Sequence, residues 1–304
     1  MIFGIDGGGT RSRLKIQSVS TGETLCYIEG GSTNIYSLTY EKVEQNLGDL
    51  IHRGCLQAGI QPAVLQSGCL GSAGLDRAFE KQKFLDMFKN ILSEHCRLTL
   101  CNDGEILLVG ASSSFEGYAL IAGTGSFALG RNASGTITRA GGLGYMLGDE
   151  GSAVWIAHQA LMRTLRSIEG RDLHTHMLDA LLDYFTLKSP SDFIHLAHYQ
   201  FDKARFASYS PIVTKYAKQG DELAVDILKK AACELFALIE SVHRRLNLLY
   251  PTLVLSGGVL EHDPIVKPLF IQMLNDKLPA IKVIEPLGTA VDGACMIAMQ
   301  KLHE

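Results

Sequence analysis

The sequence predicts an α/β fold built on mixed β-sheets, and two observations support that prediction. Over the first hundred residues, apolar and alternating segments follow the order βββαβαβ with one more helix, which fits a mixed sheet covered by helices. After residue 117 the same order returns: a strand, a tip of Gly and Thr, a strand, a Ser-Gly turn and a strand. We therefore predict two related domains, 1–116 and 117–304.

The first domain is predicted to form around an opening hairpin. The apolar strand 2–5 ends in Asp6 and three glycines, and residues 13–19 alternate polar and apolar side chains as a half-buried strand does. The remaining predicted elements of this half are strands at 24–28, 64–70 and 97–101, and helices at 39–58 and 79–92.

The second domain repeats the hairpin and then becomes largely helical. Its predicted strands are 118–122, 127–131, 136–138, 253–255 and 281–284. The longest helix begins near Asp221, has an apolar stripe that reaches Leu249, and ends before Pro251. A terminal helix follows Gly288, with small residues on a face that must pack closely.

Composition excludes several function classes. A net charge of −4 provides no basic excess for a nucleic-acid backbone. The N-terminus lacks the pattern of a signal peptide, and no apolar run approaches the roughly 18 residues of a membrane span. Seven cysteines without a C-x-x-C pair favour neither a disulfide framework nor a zinc site. We expect a cytoplasmic protein with no nucleic-acid or membrane partner.

Glycine-rich tips are the candidate phosphate sites. A Walker loop is absent, and the opening glycines precede a strand where a dinucleotide-binding fingerprint requires a helix. Bare backbone lets N–H groups approach a phosphate, and the Asp6 carboxylate could hold a hydrated Mg²⁺ beside it. The alternative is a glycine-rich hairpin without a ligand. The candidates at hairpin tips and strand ends are Gly8, Gly9, Thr10, Gly123, Thr124, Gly125, Gly257 and Gly258.

Three polar residues are candidates for chemistry or substrate binding. Asp103 follows a strand at the sheet edge where ligands of α/β proteins collect, although Asn-Asp-Gly is also ordinary turn chemistry. Asp149 could accept hydrogen bonds from sugar-like hydroxyls beside Gly142 and Gly144, or could cap the following helix. Asn34 could bind a polar ligand or serve as a turn residue.

With these residues in view, the chain resembles the N-acetylglucosamine kinases, within the BadF/BadG/BcrA/BcrD-type ATPases of the actin–hexokinase–Hsp70 superfamily. The most specific match is the segment 148–160, GDEGSAVWIAHQA. Further matches in family order are at 6–12, 32–34, 123–126, 201–207 and 256–258. The resemblance covers residues 4 to about 295 and implies two RNase H-like domains, each with a mixed five-stranded sheet, around a cleft for ATP and a sugar.

The resemblance also implies roles for single residues. Asp103 matches the base that takes the proton from the sugar 6-hydroxyl, and Leu143 stands where the mammalian kinase carries Trp in a Gly-Trp-Gly loop. The implied sugar contacts are Asn34, Asp103, Gly142, Leu143, Gly144 and Asp149, and the implied contacts to ATP include Thr10, Thr124, Ala207 and Gly258. Mg²⁺ is the implied metal, and the resemblance leaves a homodimer open as the assembly.

The functional hypothesis is ATP-dependent phosphorylation of the 6-hydroxyl of N-acetylglucosamine or a close amino sugar. A glucosamine kinase is the nearest alternative. Two others are an ATPase activator that carries an iron–sulfur cluster between subunits, and a sensor of the same fold without kinase activity. The cysteine spacing shows no arrangement for such a cluster.

Overall fold

The computed structural model describes residues 1–9, 11–35, 38–72, 74–75 and 77–304, which form two compact units. Unit 1 comprises Met1–Gly117, Ala133–Gly135 and Ile284–Glu304, and unit 2 comprises Tyr118–Asn132 and Thr136–Val283. Two mixed five-stranded sheets with flanking helices organise the chain. The predicted α/β class is therefore confirmed.

Unit 1 is built from the opening hairpin outward. Its strands are β1 (Ile2–Gly7), β2 (Arg11–Gln17), β3 (Thr24–Gly31), β4 (Ser67–Ser72) and β5 (Arg97–Cys101), and its first helices are α1 (Tyr40–Ala58), α2 (Ala78–Lys89) and α3 (Asp103–Ser112). The strand order is β3-β2-β1-β4-β5, with β1 antiparallel to β2 and parallel to β4. The ends of β1, β4 and β5 therefore meet at one sheet edge, next to the start of α3.

Unit 2 repeats this order of strands. Its strands are β6 (Gly117–Ala122), β7 (Ser126–Arg131), β8 (Ile137–Gly141), β9 (Thr252–Ser256) and β10 (Lys282–Ile284), in the order β10-β9-β6-β7-β8. Its helices are α4 (Ala153–Ile168), α5 (Met177–Phe185), α6 (Asp192–Tyr199), α7 (Lys203–Ala207), α8 (Ser210–Lys218), α9 (Glu222–Leu246), α10 (Gly258–His262) and α11 (Val266–Lys277). Because β6 and β9 are parallel, the tip after β6 and the glycines after β9 share one edge.

The C-terminal helix α12 (Ala290–His303) lies in the predicted second domain, 117–304. In the structure it belongs to unit 1 instead. The expected small residues explain the packing: a Cβ on Gly293 would lie 1.9 Å from the Ile106 carbonyl oxygen. Lys15 Nζ lies 2.7 Å from Asp292 Oδ1, and Ser67 Oγ donates to the Ala298 carbonyl. The helix thus covers the unit 1 sheet, although it is the last element of the chain.

Several predicted element boundaries differ from those of the structure, and two of the differences have a clear physical reason. The strand expected at 64–70 is β4, which begins at Ser67, because Pro62 starts a 3₁₀ turn that contains Val64. The long helix α9 ends at Leu246, because its C-cap residue Asn247 adopts a left-handed conformation with φ 48°. Leu249 therefore lies outside the apolar stripe and is 79% exposed. None of the helices in the described ranges combines the length and the hydrophobicity that a membrane span requires.

Candidate active site

The first hairpin tip, residues 7–9 and Arg11, is fixed by hydrogen bonds to its carbonyl groups. Ser72 Oγ donates to the Gly7 carbonyl at 2.9 Å, and Ser32 Oγ donates to the Gly8 carbonyl at 3.1 Å. The Gly8 N–H donates to the Arg11 carbonyl at 3.1 Å, so the turn itself uses this group. A Cβ on Gly8 would lie 2.5 Å from that carbonyl oxygen, which explains the glycine. The N–H group of Gly8 is therefore not available for the predicted phosphate contact.

Asn34 and buried hydroxyls support the same tip. A Cβ on Gly9 would lie 3.6 Å from Asn34 Nδ2, so the amide side chain is beside the tip. The Ser12 and Thr33 hydroxyls are fully buried and 3.0 Å apart. The structure thus brings Asn34, a predicted sugar contact, close to Gly9, a predicted phosphate contact. Thr10, which was also predicted to contact phosphate, lies outside the described residues.

Asp6, at the end of β1, forms an ion pair with the cross-strand residue Arg13. Arg13 Nη1 lies 3.1 Å from Asp6 Oδ2, and Arg13 Nε lies 3.2 Å from Glu29 Oε1. Burial raises the pKa of Asp6, while Arg13 opposes that change. The other carboxylate oxygen, Oδ1, has no described protein partner, and carboxylate oxygen is a preferred ligand of Mg²⁺. The residues therefore fit a cation held by Asp6, water and phosphate, although no cluster of three ligating side chains exists among the described residues.

Asp103 is the first residue of α3. The alternative that Asn-Asp-Gly forms an ordinary turn was therefore wrong, because these residues begin a helix. Asn102 caps the helix, and Glu105 completes a capping box with it, so the backbone at Asp103 is held by the helix start. Burial and the charge of Asp6 raise the pKa of Asp103 to about 6. The two carboxylates therefore interact electrostatically at the sheet edge, and Asp103 is only partly exposed.

The second hairpin tip, residues 123–126, is tied to the start of α4. The N–H groups of Ala153 and Val154 donate to the carbonyls of Gly123 and Thr124, at 2.9 and 3.4 Å. Thr124 is exposed, as a phosphate contact would have to be. The Gly123 N–H donates to the Gly125 carbonyl and closes the tip.

Gly257 and Gly258 follow β9 and lie beside this tip. Gly257 has φ 98°, and a Cβ there would lie 2.5 Å from the Ala122 carbonyl carbon and oxygen. A Cβ on Gly258 would meet no atom within 4 Å, so the space above this residue is open. Glu261 accepts hydrogen bonds from the Gly257 N–H and the Ser256 hydroxyl. The two glycines therefore differ: one permits close backbone contact, and the other leaves room for a ligand.

Asp149 is buried behind the second tip. Its side chain is 5% exposed, and its backbone is left-handed with φ 60°. Oδ1 accepts the Ser126 N–H at 3.4 Å, and Oδ2 accepts from Lys203 Nζ at 2.9 Å. Ser152, not Asp149, caps α4. The helix-capping alternative for Asp149 was therefore wrong.

The loop 142–147 presents apolar side chains to solvent. Leu143 is 61% exposed, and Gly142 and Gly144 have φ values of 68° and 89°. Arg139 donates to the carbonyls of Gly141 and Gly142 and so fixes the base of the loop. A Cβ on Gly144 would meet no atom within 4 Å, so a ligand could approach its backbone.

Ala207, the predicted nucleotide contact, is the last residue of the short helix α7. It is 8% exposed and packs in the apolar core of unit 2. A ligand could therefore contact only the small exposed part of the Ala207 side chain, or the backbone of this residue. The structure does not connect Ala207 with Gly258 by any described hydrogen bond.

Sequence reasoning missed several residues that hold the candidate site. Arg13 could have been found, because the predicted hairpin pairs it directly with Asp6 across two strands. Lys203 lies 54 residues from Asp149 and has no periodic signal, although it belongs to the segment 201–207 that carried the resemblance. Glu261 likewise gave no local signal. These three residues orient or pair groups that the sequence did identify.

Comparison with known proteins identifies related chains over nearly the whole length. A model described as the BadF/BadG/BcrA/BcrD ATPase family matches residues 3–298. An N-acetylmuramic acid/N-acetylglucosamine kinase from Clostridium acetobutylicum is 34% identical over 300 residues, with 98% of this chain and 97% of that protein covered. The glucosamine kinase GspK from Vibrio cholerae is 26% identical over 303 residues, with 99% and 96% covered.

A solved structure supports the fold. The crystal structure of a candidate N-acetylglucosamine kinase from Chromobacterium violaceum superposes with a TM-score of 0.78 at 25% identity, and the match covers 98% of both chains. The similarity extends over both units, so the predicted two-domain architecture is confirmed.

Proposed function

Because the chain belongs to the BadF/BadG/BcrA/BcrD ATPase family, we propose that it is an ATP-dependent kinase of amino sugars that phosphorylates the 6-hydroxyl of N-acetylglucosamine. The observation that supports this most strongly is Asp103, a partly buried carboxyl at the sheet edge of a chain 34% identical to an amino-sugar kinase. Asp103 is the proposed general base.

The environment of Asp103 suits a base at neutral pH. A general base works best when its pKa lies near the working pH, and burial together with Asp6 raises the pKa of Asp103 to about 6. Asp103 is then mostly ionised at pH 7, yet it is more basic than an ordinary aspartate. It can accept the proton of a sugar hydroxyl as the oxygen attacks phosphorus.

The two hairpin tips are the proposed phosphate contacts. In unit 1 these are the backbone of Gly9 and the hydroxyl of Thr10, with Gly8 closing the turn through its own N–H, and in unit 2 the backbone around Thr124. Gly257, Gly258 and Ala207 are proposed for the nucleotide. Asp6 would hold Mg²⁺, which when bound would neutralise phosphate charge. Arg13 keeps the Asp6 carboxylate oriented through its ion pair.

The proposed sugar contacts are Asn34 in unit 1 and the loop 142–144 with Asp149 in unit 2. A carboxylate offers about four lone-pair positions, and the described residues use two of those on Asp149. Leu143 supplies an apolar surface in place of an aromatic ring, so an acetyl group or an ether-linked lactyl group could pack against it. N-acetylmuramic acid is therefore a second candidate substrate, as the name of the Clostridium relative also suggests.

The cysteines disfavour the iron–sulfur activator. All seven are described as free thiols, and only Cys233 is exposed. A cluster shared between subunits needs several cysteine thiolates at the surface. A colourless purified protein would agree with this inference.

A coupled assay of ADP release tests the proposal. We expect release to depend on N-acetylglucosamine or N-acetylmuramic acid, with glucosamine, N-acetylmannosamine and glucose as comparison substrates. Phosphorus NMR of the product would identify the phosphorylated hydroxyl. A protein that binds ATP but releases no ADP with any of these sugars would be a sensor, and the kinase proposal would be wrong.

A further inference from the structure

The ion pair between Lys203 and Asp149 lies within unit 2 and joins two segments far apart in the sequence. Lys203 is the first residue of α7, and its Nζ lies 2.9 Å from Asp149 Oδ2. The lysine side chain is 40% exposed, whereas the aspartate side chain is 5% exposed. A buried carboxylate thus depends on a cation that reaches it from the surface.

Asp149 has little freedom to find another partner. Its backbone carbonyl accepts the Ser152 N–H at 3.1 Å, so the residue is anchored at the start of α4. A Cβ on Gly125 would lie 2.8 Å from Asp149 Oδ2, so the second tip closes one side of the carboxylate. The other described contact, from the Ser126 N–H to Oδ1, is long at 3.4 Å. Lys203 therefore supplies the short charged contact that sets the carboxylate orientation.

The same type of pair at the surface provides a contrast. Lys230 Nζ lies 2.8 Å from Asp226 Oδ2 on α9, but the side chains are 55% and 33% exposed. Asp226 also pairs with Arg163 and is open to water, so it keeps a cation and solvent when its lysine is removed, and such surface pairs contribute little. Removing Lys203 would instead leave a buried carboxylate without its cation, and the side chain would turn away from its present position. This movement alters the hydrogen-bond acceptors that Asp149 offers to a ligand.

We propose that Lys203 is a positioning residue that holds the Asp149 carboxylate oriented for the hydroxyl groups of the sugar, and so sets sugar affinity. This inference rests on the proposed function, because it assumes that Asp149 contacts the sugar. We assign Lys203 no contact with the transferred phosphoryl group or with the hydroxyl oxygen. Its effect is therefore on sugar binding, with ATP binding nearly unchanged.

Steady-state kinetics with Lys203→Met, Lys203→Arg and Lys230→Met tests the proposal. We expect Lys203→Met to raise the sugar KM at least about tenfold while the ATP KM changes less than about twofold. Lys203→Arg keeps the charge and should recover most of the affinity. Lys230→Met removes a surface lysine whose partner, Asp226, keeps its ion pair with Arg163, and should leave both KM values unchanged. If the Met variant does not fold, Lys203→Gln replaces it, since Gln keeps a hydrogen-bond donor without the charge.

A double-variant cycle shows whether Lys203 acts through Asp149. Calorimetric titration with the sugar should give the same affinity, within about twofold, for Asp149→Asn and for Asp149→Asn with Lys203→Met. Additive losses, a wild-type sugar KM in Lys203→Met, or equal increases in both KM values would overturn the inference. Sugar-dependent ADP release by the wild-type chain is measured in parallel. If the wild-type chain shows this release, the kinase proposal stands even when the inference about Lys203 fails. A wild-type chain that binds none of the sugars would overturn both.

Discussion

The two hairpin tips have the same strand arrangement but hold their acidic groups in different ways. At the first tip, Asp6 pairs with Arg13, seven residues away on the adjacent strand, and a second carboxyl, Asp103, is close enough to interact electrostatically. At the second tip, Asp149 pairs with Lys203, which comes from a separate helix. The ion pair at the first tip is therefore local in sequence, whereas the ion pair at the second tip depends on tertiary packing.

This difference suggests a division of roles between related halves. The first tip places two carboxylates together, which favours proton transfer and cation binding. At the second tip one carboxylate is buried, and the carbonyl groups of the tip accept hydrogen bonds from the start of α4. Both features favour a rigid binding site. A repeated supersecondary unit can thus acquire chemistry in one copy and a binding role in the other.

The largest expected effect is at the first tip. Asp103→Asn should lower kcat by about 10²–10⁴ and leave ATP affinity nearly unchanged, because it removes a proton acceptor and little else. Asp179→Asn is a matched control, since Asp179 is also an acid in the first turn of a helix. Near-wild-type turnover in Asp103→Asn would remove Asp103 from the role of base.

Gly257→Ala should give the next largest effect, at the second tip. Its φ of 98° and the clash with Ala122 predict a loss of at least about 2 kcal/mol in the free energy of unfolding. Gly258→Ala is the control, because its added methyl meets open space and should change stability by less than about 1 kcal/mol. Urea denaturation measures both. Equal stability of the two variants would contradict the close approach of β9 to the tip.

The sequence predicted the local parts of this molecule well. Alternation around Arg13 and the glycines after Asp6 indicate a hairpin because strand period and turn chemistry depend on neighbouring residues. Helix α1 was predicted at 39–58 and is observed at Tyr40–Ala58, with Thr39 as its cap. Such signals need no information from distant residues.

Features that depend on distant residues were not predictable in this way. The sequence does not indicate that α12 packs on the first sheet, because small residues show that a face is tightly packed but not against which element. Burial of Asp149 and its pairing with Lys203 likewise follow from tertiary structure. The end of α9 depended on one residue, Asn247, whose left-handed conformation is a weak local preference.

The pH dependence of activity should reflect the pair of acids at the first tip. Since Asp103 must be ionised to accept a proton, kcat/KM should fall about tenfold per pH unit below an apparent pKa of about 6. A raised pKa also means that the folded state binds this proton more tightly than the unfolded state. The stabilising contribution of protonated Asp103 is therefore present below about pH 4 and is lost as the pH rises through about 6. An acidic limb centred near pH 4 would show that Asp103 is not perturbed in the working enzyme.

The smallest expected effect concerns Glu29, the outer member of the ion pairs at the first tip. Glu29 contacts Arg11 and Arg13 but is 45% exposed, so Glu29→Gln should change the free energy of unfolding by less than about 1 kcal/mol. If the first tip binds phosphate as proposed, losing this negative charge beside it should lower the ATP KM by no more than about threefold at low salt, and the change should vanish at high salt. Glu169→Gln is the control, because it removes an exposed acid paired with Arg171 in unit 2. A salt-independent change, or a similar change in the control, would mean that the first tip does not face the phosphates.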